Sequence, residues 1–353
     1  MKKGTDPPYD VDRDISVART LPGSFYADHD AYDRMRQAVF ARSWQWLGDV
    51  ADVASPQTLS PRDLLPGLLD EPLLLARDAD GTLRCLSNVC THRGNILVKA
   101  ACAAKEIRCG YHSRRFDLAG TMTFMPEFGL AKDFPSPSDN LPRVEMHEWA
   151  GHAFASLDPA APFDEVFSAM RDAVAPLEVH EFRRDAARDR DYEIHAHWAL
   201  YVENYLEGFH IPFVHAGLNE AVDCGNYRTE IHRHSNVQLA TARDGSPAAR
   251  YWWIFPNLML NFYPWGLSLN LVEPLGIDRT RVKFRSFVGD ATKLAQGAGA
   301  SLDRVEAEDE AVVRAVQRGV RSRLYTRGRY SPTREAGVHH FHRLLCEALE
   351  WRR

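Results

Sequence analysis

Two pairs of cysteine and histidine residues constrain the fold of this chain more than any other feature. Cys90 and His92 have one residue between them, in the segment Cys-Thr-His-Arg-Gly, and Cys109 and His112 have two, in Cys-Gly-Tyr-His. Sixteen residues separate the two pairs. Each pair offers one thiolate and one imidazole on a short segment with a glycine, which suits a metal-binding loop. We therefore expect a fold that brings two such loops together.

Two interpretations of these four residues remain open at this point. Two thiolates on one iron and two imidazoles on the other form the ligand set of a [2Fe–2S] cluster that is easier to reduce than an all-cysteine cluster. A structural zinc, or unrelated core positions, would also fit the residue types. Zinc sites usually group two cysteines and then two histidines, so the mixed pairs favour the cluster. The nearby Cys85 and Cys102 are interpreted as small core residues or exposed thiols.

A second motif, Glu-Asn-x-x-Glu-x-x-His-x4-His, ends at His215. We predict a helix over about residues 197–210, on which Glu207 and His210 would share a face. His210 and His215 would diverge on a straight helix, and Pro212 between them predicts a break that returns His215 to the same point. Two histidines and one carboxylate form the facial triad of a non-haem Fe(II) oxygenase, which leaves positions open for O₂ and substrate.

The predicted third ligand of this triad is Asp309. It lies on the apolar stripe of a helix predicted over about residues 301–320. An acid on a buried face costs several kcal/mol unless it is paired or binds a metal. The stripe consists of Leu302, Val305, Val312, Val313, Val316 and Val320.

Other interpretations of Asp309 also remain open. It could be an ordinary acid near a helix N-terminus, or it could pair with an arginine such as Arg314. Its neighbours Glu308 and Glu310 are predicted to point away from the stripe as surface charges.

The order of the predicted elements indicates an α+β fold. The chain of 353 residues is long enough for two domains. Residues 47–157 are β-rich and turn-rich, residues 163–184 are predicted to be helical, and residues 228–290 alternate like antiparallel strands. A last helix is predicted over about 335–350. Strands followed by helices, without βαβ alternation, distinguish this pattern from a doubly wound sheet.

Charge and hydropathy restrict the partners. The formal charge of −5 argues against nucleic acid or an anionic membrane as the main partner. No apolar run has the length of a membrane span. Residues 1–14 are polar and resemble no secretory signal, so we expect a cytoplasmic protein with reduced thiols.

The two motifs resemble those of the catalytic (alpha) subunits of Rieske non-haem iron oxygenases. The Cys-Thr-His-Arg-Gly loop matches the first cluster loop of that family residue for residue. In the second loop the family often has proline after the cysteine and glycine then tryptophan after the histidine, whereas this chain has Gly110, Ser113 and Arg114. None of the three is a ligand, but we expect the hydrogen bonding around the cluster, and its potential, to differ.

The resemblance implies a particular domain organisation. Residues 1–44 would pack with the catalytic domain, residues 45–157 would form a β-rich Rieske [2Fe–2S] domain, and residues 158–353 would form a helix-grip catalytic domain with an antiparallel sheet. It also implies a homotrimer, most like those of the monooxygenase and demethylase branch. In such rings electrons pass from the cluster of one subunit to the mononuclear Fe(II) of the next.

The resemblance also implies roles for single residues. Glu207 would hydrogen-bond His112 of one subunit and His210 of the next, although a solvated helix acid is the alternative. Glutamate at this position is typical of members that oxidise quaternary ammonium compounds. Glu203 would support the helix, and Asn204 would line the iron pocket. The implied cluster ligands are Cys90, His92, Cys109 and His112, and the implied iron ligands are His210, His215 and Asp309.

The expected activity is O₂-dependent hydroxylation or oxidative demethylation of a small organic substrate, with quaternary ammonium compounds as candidates. The chain has no dinucleotide fingerprint and no plant-type ferredoxin spacing, so it needs an NAD(P)H-dependent reductase, with or without a ferredoxin. The alternatives are an aromatic ring-hydroxylating dioxygenase and a non-catalytic electron carrier or redox sensor. The aromatic residues between 251 and 265 form either a cation cage or an ordinary core.

Overall fold

A computed structural model describes residues 9–294 and 302–349. The first eight residues of the predicted segment 1–44, and the ends of the predicted helices at residues 301 and 350, lie outside the described residues. The chain divides into two compact units. One is Ala41–Ala160, and the other comprises the described residues of Met1–Phe40 and Ala161–Arg353.

The unit Ala41–Ala160 is built from short antiparallel strands. Seven of them form one sheet in the order β1-β10-β9-β4-β3-β2-β5, and the other three form a small sheet in the order β6-β7-β8. The strands are β1 (Gln45–Asp49), β2 (Thr58–Leu64), β3 (Glu71–Arg77), β4 (Leu83–Ser87), β5 (Cys102–Ala103), β6 (Ile107–Arg108), β7 (Arg115–Phe116), β8 (Met122–Phe124), β9 (Arg143–Trp149) and β10 (His152–Ser156).

Strand β3 separates two apolar cores. Its side chains alternate between the two faces of the sheet, because successive residues of a strand point to opposite sides. Leu73 and Leu75 pack into one core with Cys85. Leu74 packs into the other core, which also contains the two ligand cysteines of the sequence motif. The two predicted metal-binding loops are therefore anchored on one side of this sheet.

The second unit combines an antiparallel sheet with helices. Its strands are β11 (Arg183–Arg184), β12 (Arg190–Ile194), β13 (Arg228–Ile231), β14 (Ser235–Thr241), β15 (Pro247–Ile254), β16 (Leu258–Tyr263), β17 (Gly266–Gly276) and β18 (Arg279–Val288). They form a sheet in the order β11-β18-β17-β16-β15-β14-β13, and β12 also pairs with β18. This arrangement confirms the predicted α+β class and the antiparallel strands over residues 228–290.

The helices of this unit are α1 (His29–Met35), α2 (Phe163–Val174), α3 (Trp198–Tyr205), α4 (Ile211–Val214), α5 (Ala216–Ala221), α6 (Leu302–Gly319) and α7 (Ala336–Leu349). The helix predicted over residues 163–184 is too long, since α2 ends at Val174 and Pro176 follows within a short turn. Among the described residues, no helix combines the length and apolar character that crossing a membrane requires.

Helix α7 approaches the end of α3 closely. A Cβ atom on Gly337 would lie only 2.4 Å from the carbonyl oxygen of Leu206, a backbone atom that cannot move aside alone. Leu206 directly precedes Glu207 of the second motif. The glycine therefore lets α7 pack against the backbone from which that motif continues.

We predict that Gly337→Ala destabilises the protein by about 1–3 kcal/mol, the usual cost of overpacking. Gly319→Ala is the matched control, because a Cβ there meets nothing within 4 Å. In this control, alanine in place of a helical glycine should leave the free energy of unfolding unchanged or raise it by up to about 1 kcal/mol. Urea unfolding followed by circular dichroism measures both effects. Equal midpoints for Gly337→Ala and the unmodified protein would contradict the assigned packing.

Candidate metal centres

The two cysteine–histidine segments form turns with the same backbone pattern. In the first, the Cys90 amide donates to the carbonyl of Asn95 and the Gly94 amide donates to the carbonyl of Cys90, both at 2.9 Å. In the second, the Cys109 amide donates to Arg114 at 2.8 Å and the Ser113 amide donates to Cys109 at 3.1 Å. The fifth residue of each turn has a positive φ, 69° for Gly94 and 64° for Ser113. A glycine of the family pattern is thus replaced by serine in a left-handed conformation that favours glycine.

These turns bring the four predicted cluster ligands together. The rings of His92 and His112 lie 4.8 Å apart between centroids. Both thiols are buried. Burial works against ionisation of Cys109, but hydrogen bonds from the backbone of Tyr111 and His112 outweigh it and hold the pKa of this thiol below its ordinary value. A thiolate at Cys109 is the form that an iron atom requires.

An unpaired nitrogen supports the fit of a cluster at these loops. Nδ1 of His112 is buried and has no hydrogen-bond partner among the described residues. A buried imidazole nitrogen normally has a partner, so its absence marks a position where a metal or another group belongs. With two thiols and two imidazoles in reach of one another, the donor set fits a [2Fe–2S] cluster with mixed ligands.

In the second unit, the predicted iron ligands converge around the short helix α4. His210 directly precedes this helix and His215 directly follows it. Their Nε2 atoms lie 3.2 Å apart. Oδ1 of Asp309 lies 3.0 Å from Nε2 of His215 and 3.5 Å from Nε2 of His210. Three donor atoms this close to one another can ligate a single ion from one side, as a facial triad does.

The local structure that brings His210 and His215 together differs from the predicted helix with a break at Pro212. The helix expected over residues 197–210 ends at Tyr205, and Glu207–His210 is a loop. Pro212 does not break a helix. It occupies the first turn of α4, where its missing N–H costs nothing. The two histidines converge because they flank one turn of helix.

Glu207 and His210 do meet, although not as neighbours on a helix. Oε2 of Glu207 accepts hydrogen bonds from the backbone amides of Phe209 and His210, the latter at 3.0 Å. Oε1 of Glu207 lies 2.6 Å from Nδ1 of His210. This carboxylate therefore folds the loop and orients the ring, so that Nε2 is left for the metal.

The predicted position of Glu308 was wrong. It was expected to point away from the site, but its Oε2 lies 2.8 Å from Nδ1 of His215. Arg304 hydrogen-bonds the other oxygen of Glu308 at 3.0 Å. Each histidine thus has a carboxylate at Nδ1, the usual arrangement around a metal-bound imidazole. The alternative partner proposed for Asp309, Arg314, pairs with Glu310 instead, at 2.7 Å.

The buried face of α6 also differs from the predicted valine stripe. Val316 is exposed, whereas Glu306 and Gln317 are buried together with Val313 and Val320. Glu306, Val313 and Val320 are seven residues apart, which places them on one helix face. The sequence pattern did not indicate this face, because two of its positions carry polar residues and the prediction was based on the valines. Asp309 lies beside this face, at the metal centre.

A cavity of about 110 Å³ opens beside the metal triad. Six tyrosine and phenylalanine residues line it, and so does the predicted pocket residue Asn204. Glu306 also lines the cavity. Tyr201 donates a hydrogen bond of 2.8 Å to Oε2 of Glu306, whereas Oε1 has no partner in the described part of the chain. Burial raises the pKa of Glu306 to about 8. The aromatic residues are Tyr201, Tyr205, Tyr227, Tyr251, Tyr263 and Phe284.

Amide side chains hold the tyrosines of this cavity in place. The hydroxyl of Tyr205 donates to Oδ1 of Asn261 at 2.6 Å, and that of Tyr227 donates to Oε1 of Gln238 at 3.1 Å. The ring of Tyr251 meets that of Tyr205 edge to face, with centroids 6.5 Å apart.

The aromatic stretch from 251 to 265 is therefore divided between two roles. Tyr251 and Tyr263 line the cavity, whereas Trp252, Trp253 and Trp265 are buried core residues. Tyr205 and Tyr227 complete the wall from outside this stretch. Sequence reasoning gave no reason to select them.

Comparison with known proteins finds two kinds of domain in this chain. Residues 43–135 match the model of the Rieske [2Fe–2S] domain, and residues 226–351 match that of the ring-hydroxylating alpha subunit catalytic domain. Choline monooxygenase of Arabidopsis thaliana is 28% identical over 95% of this chain and 84% of its own length. The carnitine monooxygenase oxygenase subunit of Escherichia coli is 28% identical over 94% of both chains.

Solved structures share the fold. The quaternary ammonium Rieske monooxygenase CntA in complex with L-carnitine superposes with a TM-score of 0.78 at 23% identity, over 96% of this chain and 97% of that one. Naphthalene 1,2-dioxygenase superposes with a TM-score of 0.70 at 16% identity, over 94% and 92%.

The chain therefore carries a Rieske [2Fe–2S] domain and the catalytic domain typical of mononuclear iron binding in Rieske oxygenases, and its homologues are oxidoreductases of that kind. The chain is homologous to the oxygenase subunits of carnitine and choline monooxygenases. The catalytic domain favours an oxygenase over an electron carrier alone.

We predict that Glu308→Gln weakens binding of the mononuclear iron by about 10- to 100-fold, the usual effect of losing a carboxylate that orients a metal-bound histidine. Glu310→Gln is the matched control. It removes the same charge from the same helix, but Glu310 pairs with Arg314 rather than with His215. Competition for iron with a chelator measures the change, while cluster absorbance reports on the other centre. Equal iron affinities in the two variants would show that the Glu308 contact has no role in metal binding.

Proposed function

We propose that this chain is the oxygenase subunit of a monooxygenase for a small quaternary ammonium compound. One C–H bond next to the nitrogen becomes C–OH, and the second oxygen atom of O₂ leaves as water after uptake of two electrons and two protons. If a methyl carbon is hydroxylated, the product loses formaldehyde and the net reaction is demethylation. The observation that carries this proposal is the tyrosine-walled cavity with a buried acid beside the metal triad.

The cavity has the chemistry that binds a trimethylammonium group. Faces of aromatic rings attract such cations, and they do so more strongly when water is excluded. Burial favours the protonated form of Glu306, and a bound cation would stabilise its ionised form and supply a partner for Oε1, which has none in the described part of the chain. The relatives named for choline and carnitine act on compounds of this class. An uncharged aromatic substrate, the alternative, would leave Oε1 of Glu306 without a partner.

The residues proposed to hold the metals are the four cluster ligands and the facial triad. When bound, the cluster would supply single electrons, and the iron would supply a site for O₂ activation beside the substrate. Glu207 and Glu308 fix the imidazoles through Nδ1, and Asn204 orients the substrate from the cavity wall. The cluster ligands are Cys90, His92, Cys109 and His112, and the triad is His210, His215 and Asp309.

A homotrimer and an external reductase complete the proposal. Glu207 would accept a hydrogen bond from His112 of the neighbouring subunit. Because Nδ1 of His112 is assigned to the cluster, Nε2 of this ring would be left to donate to Glu207, and the Glu207 oxygens have lone pairs beyond those used in their own loop. The bridge would carry electrons between the centres. An NAD(P)H-dependent reductase, with or without a ferredoxin, would supply them, and a cytoplasmic location stays a prediction.

The function can be tested with purified protein and a generic NADH-dependent reductase. We expect a red-brown protein with three irons per chain, a Rieske-type electron paramagnetic resonance signal after reduction, and O₂ uptake that requires choline, carnitine or a related cation. Asp309→Ala should lose one iron and all turnover, while the cluster spectrum persists. A colourless zinc protein would overturn the cluster assignment, and uptake with naphthalene-like aromatics alone would overturn the substrate class.

We predict that Glu306→Gln weakens binding of a quaternary ammonium substrate by about tenfold or more, because hydrogen bonds and contacts to a charged group contribute about 1.5–3 kcal/mol. A neutral isostere with a tert-butyl group should bind both forms equally. Glu310→Gln, which lies outside the cavity wall, should behave like the unmodified protein. Calorimetry without O₂ measures affinity apart from turnover. Equal loss for the cation and its isostere would assign Glu306 a structural role only.

A further inference from the structure

The cluster-bearing unit contains a buried arginine where the family often has tryptophan. Arg114 is only 2% exposed. Its Nη2 atom donates a hydrogen bond of 2.5 Å to Oδ1 of Asp139. The guanidinium carbon lies 5.8 Å from the ring centre of Phe116 and 5.7 Å from that of Phe134. A charge in such apolar surroundings is costly unless it is paired, and the carboxylate supplies the pair.

This ion pair is joined to both cluster loops through the backbone. The carbonyl of Arg114 accepts the hydrogen bond of 2.8 Å from the amide of Cys109, in the second loop. The carbonyl of Asp139 accepts a hydrogen bond of 2.8 Å from the hydroxyl of Thr91, in the first loop. Thr91 stands between the ligands Cys90 and His92. The two residues of the pair are therefore each attached, through a backbone carbonyl, to a different cluster loop.

Both members of the pair are ionised. The backbone amide of Ser136 donates to Oδ2 of Asp139 at 2.8 Å. This hydrogen bond, together with Arg114, holds the pKa of the Asp139 carboxyl below its ordinary value. Because an arginine side chain stays protonated in proteins, the pair consists of one positive and one negative charge.

We infer that Arg114 and Asp139 act as positioning residues that set the reduction potential of the [2Fe–2S] cluster. Reduction adds one negative charge to the cluster, so the guanidinium stabilises the reduced form and the carboxylate stabilises the oxidised form. Solvent screens the charge of the buried Arg114 poorly, whereas the side chain of Asp139 is 20% exposed, so the contribution of the carboxylate should be the smaller one. This inference rests on the cluster ligands and not on the proposed substrate.

Opposite shifts in two variants test the inference. Arg114→Met removes the positive charge but keeps an unbranched side chain, and the cluster potential should fall. Asp139→Asn leaves Arg114 unpaired, and the potential should rise. The double variant should return toward the unmodified value, because the opposing charges are removed together. Potentiometric titration of the iron-loaded protein, followed by electron paramagnetic resonance, measures each potential without any turnover.

The neighbouring arginine provides a matched control. The side chain of Arg115 is 39% exposed and pairs with Glu106 at 3.5 Å. Its guanidinium lies over the ring of Phe124 at 5.1 Å. Arg115→Met loses the same charge one residue away but in contact with water, so the potential should change little. Equal shifts for Arg114→Met and Arg115→Met would overturn the inference.

If Arg114→Met fails to assemble a cluster, two other variants still test the inference. Arg114→Lys keeps the charge and should retain a potential near that of the unmodified protein. Asp139→Asn should still raise the potential. A potential that stays constant or falls in Asp139→Asn would show that the pair only holds the loops in place.

Discussion

The mononuclear site depends on two hydrogen bonds between carboxylates and imidazoles. Glu207 holds Nδ1 of His210, and Glu308 holds Nδ1 of His215. With Nδ1 fixed, each ring presents Nε2, and the two Nε2 atoms converge with Oδ1 of Asp309. The acids come from different elements, one from the loop after α3 and one from α6. The triad therefore forms only when the helix of the last third of the chain packs beside the second motif.

The same acids give the site a strong negative character. Glu306 adds a further carboxyl group on the cavity side. Acids so close together repel one another, and a divalent cation relieves that repulsion. Arg304 already pairs with Glu308, and burial favours the protonated form of Glu306. A divalent metal ion would therefore offset most of the remaining charge, and a bound cation in the cavity would favour ionisation of Glu306, in keeping with the proposed substrate class.

Sequence reasoning identified the ligand types because metal chemistry restricts them, and it failed where backbone geometry was needed. The spacing of Glu207 and His210 suggested a helix, but a carboxylate that accepts two backbone amides brings them together in a loop. Glu308 was interpreted as a surface charge, because helix periodicity alone cannot show that a distant histidine lies over that face. The cavity tyrosines come from α3, the residue before β13, β15 and β16, and only the folded unit brings them together.

At the cluster loops, the sequence likewise predicted the ligands' local structure but not a contact between distant segments. The ligand pairs predicted two similar loops, and the structure gives both turns the same backbone hydrogen bonds. The sequence also marked Arg114 as a departure from the family pattern. Its partner, Asp139, lies 25 residues further along the chain. Nothing in the local pattern pointed to it, because ion pairs across loops depend on tertiary packing.

Gly208 connects the wall of the cavity with the loop that carries His210. A Cβ on Gly208 would lie 2.5 Å from the ring of Tyr227, so this ring rests on the backbone between Glu207 and His210. Tyr227 is also part of the cavity wall. A larger or differently shaped residue at position 227 would press on the loop that carries a metal ligand. Directed evolution for new substrates should therefore diversify the wall at Tyr251 and Tyr263 first, and change position 227 only together with compensating changes in that loop.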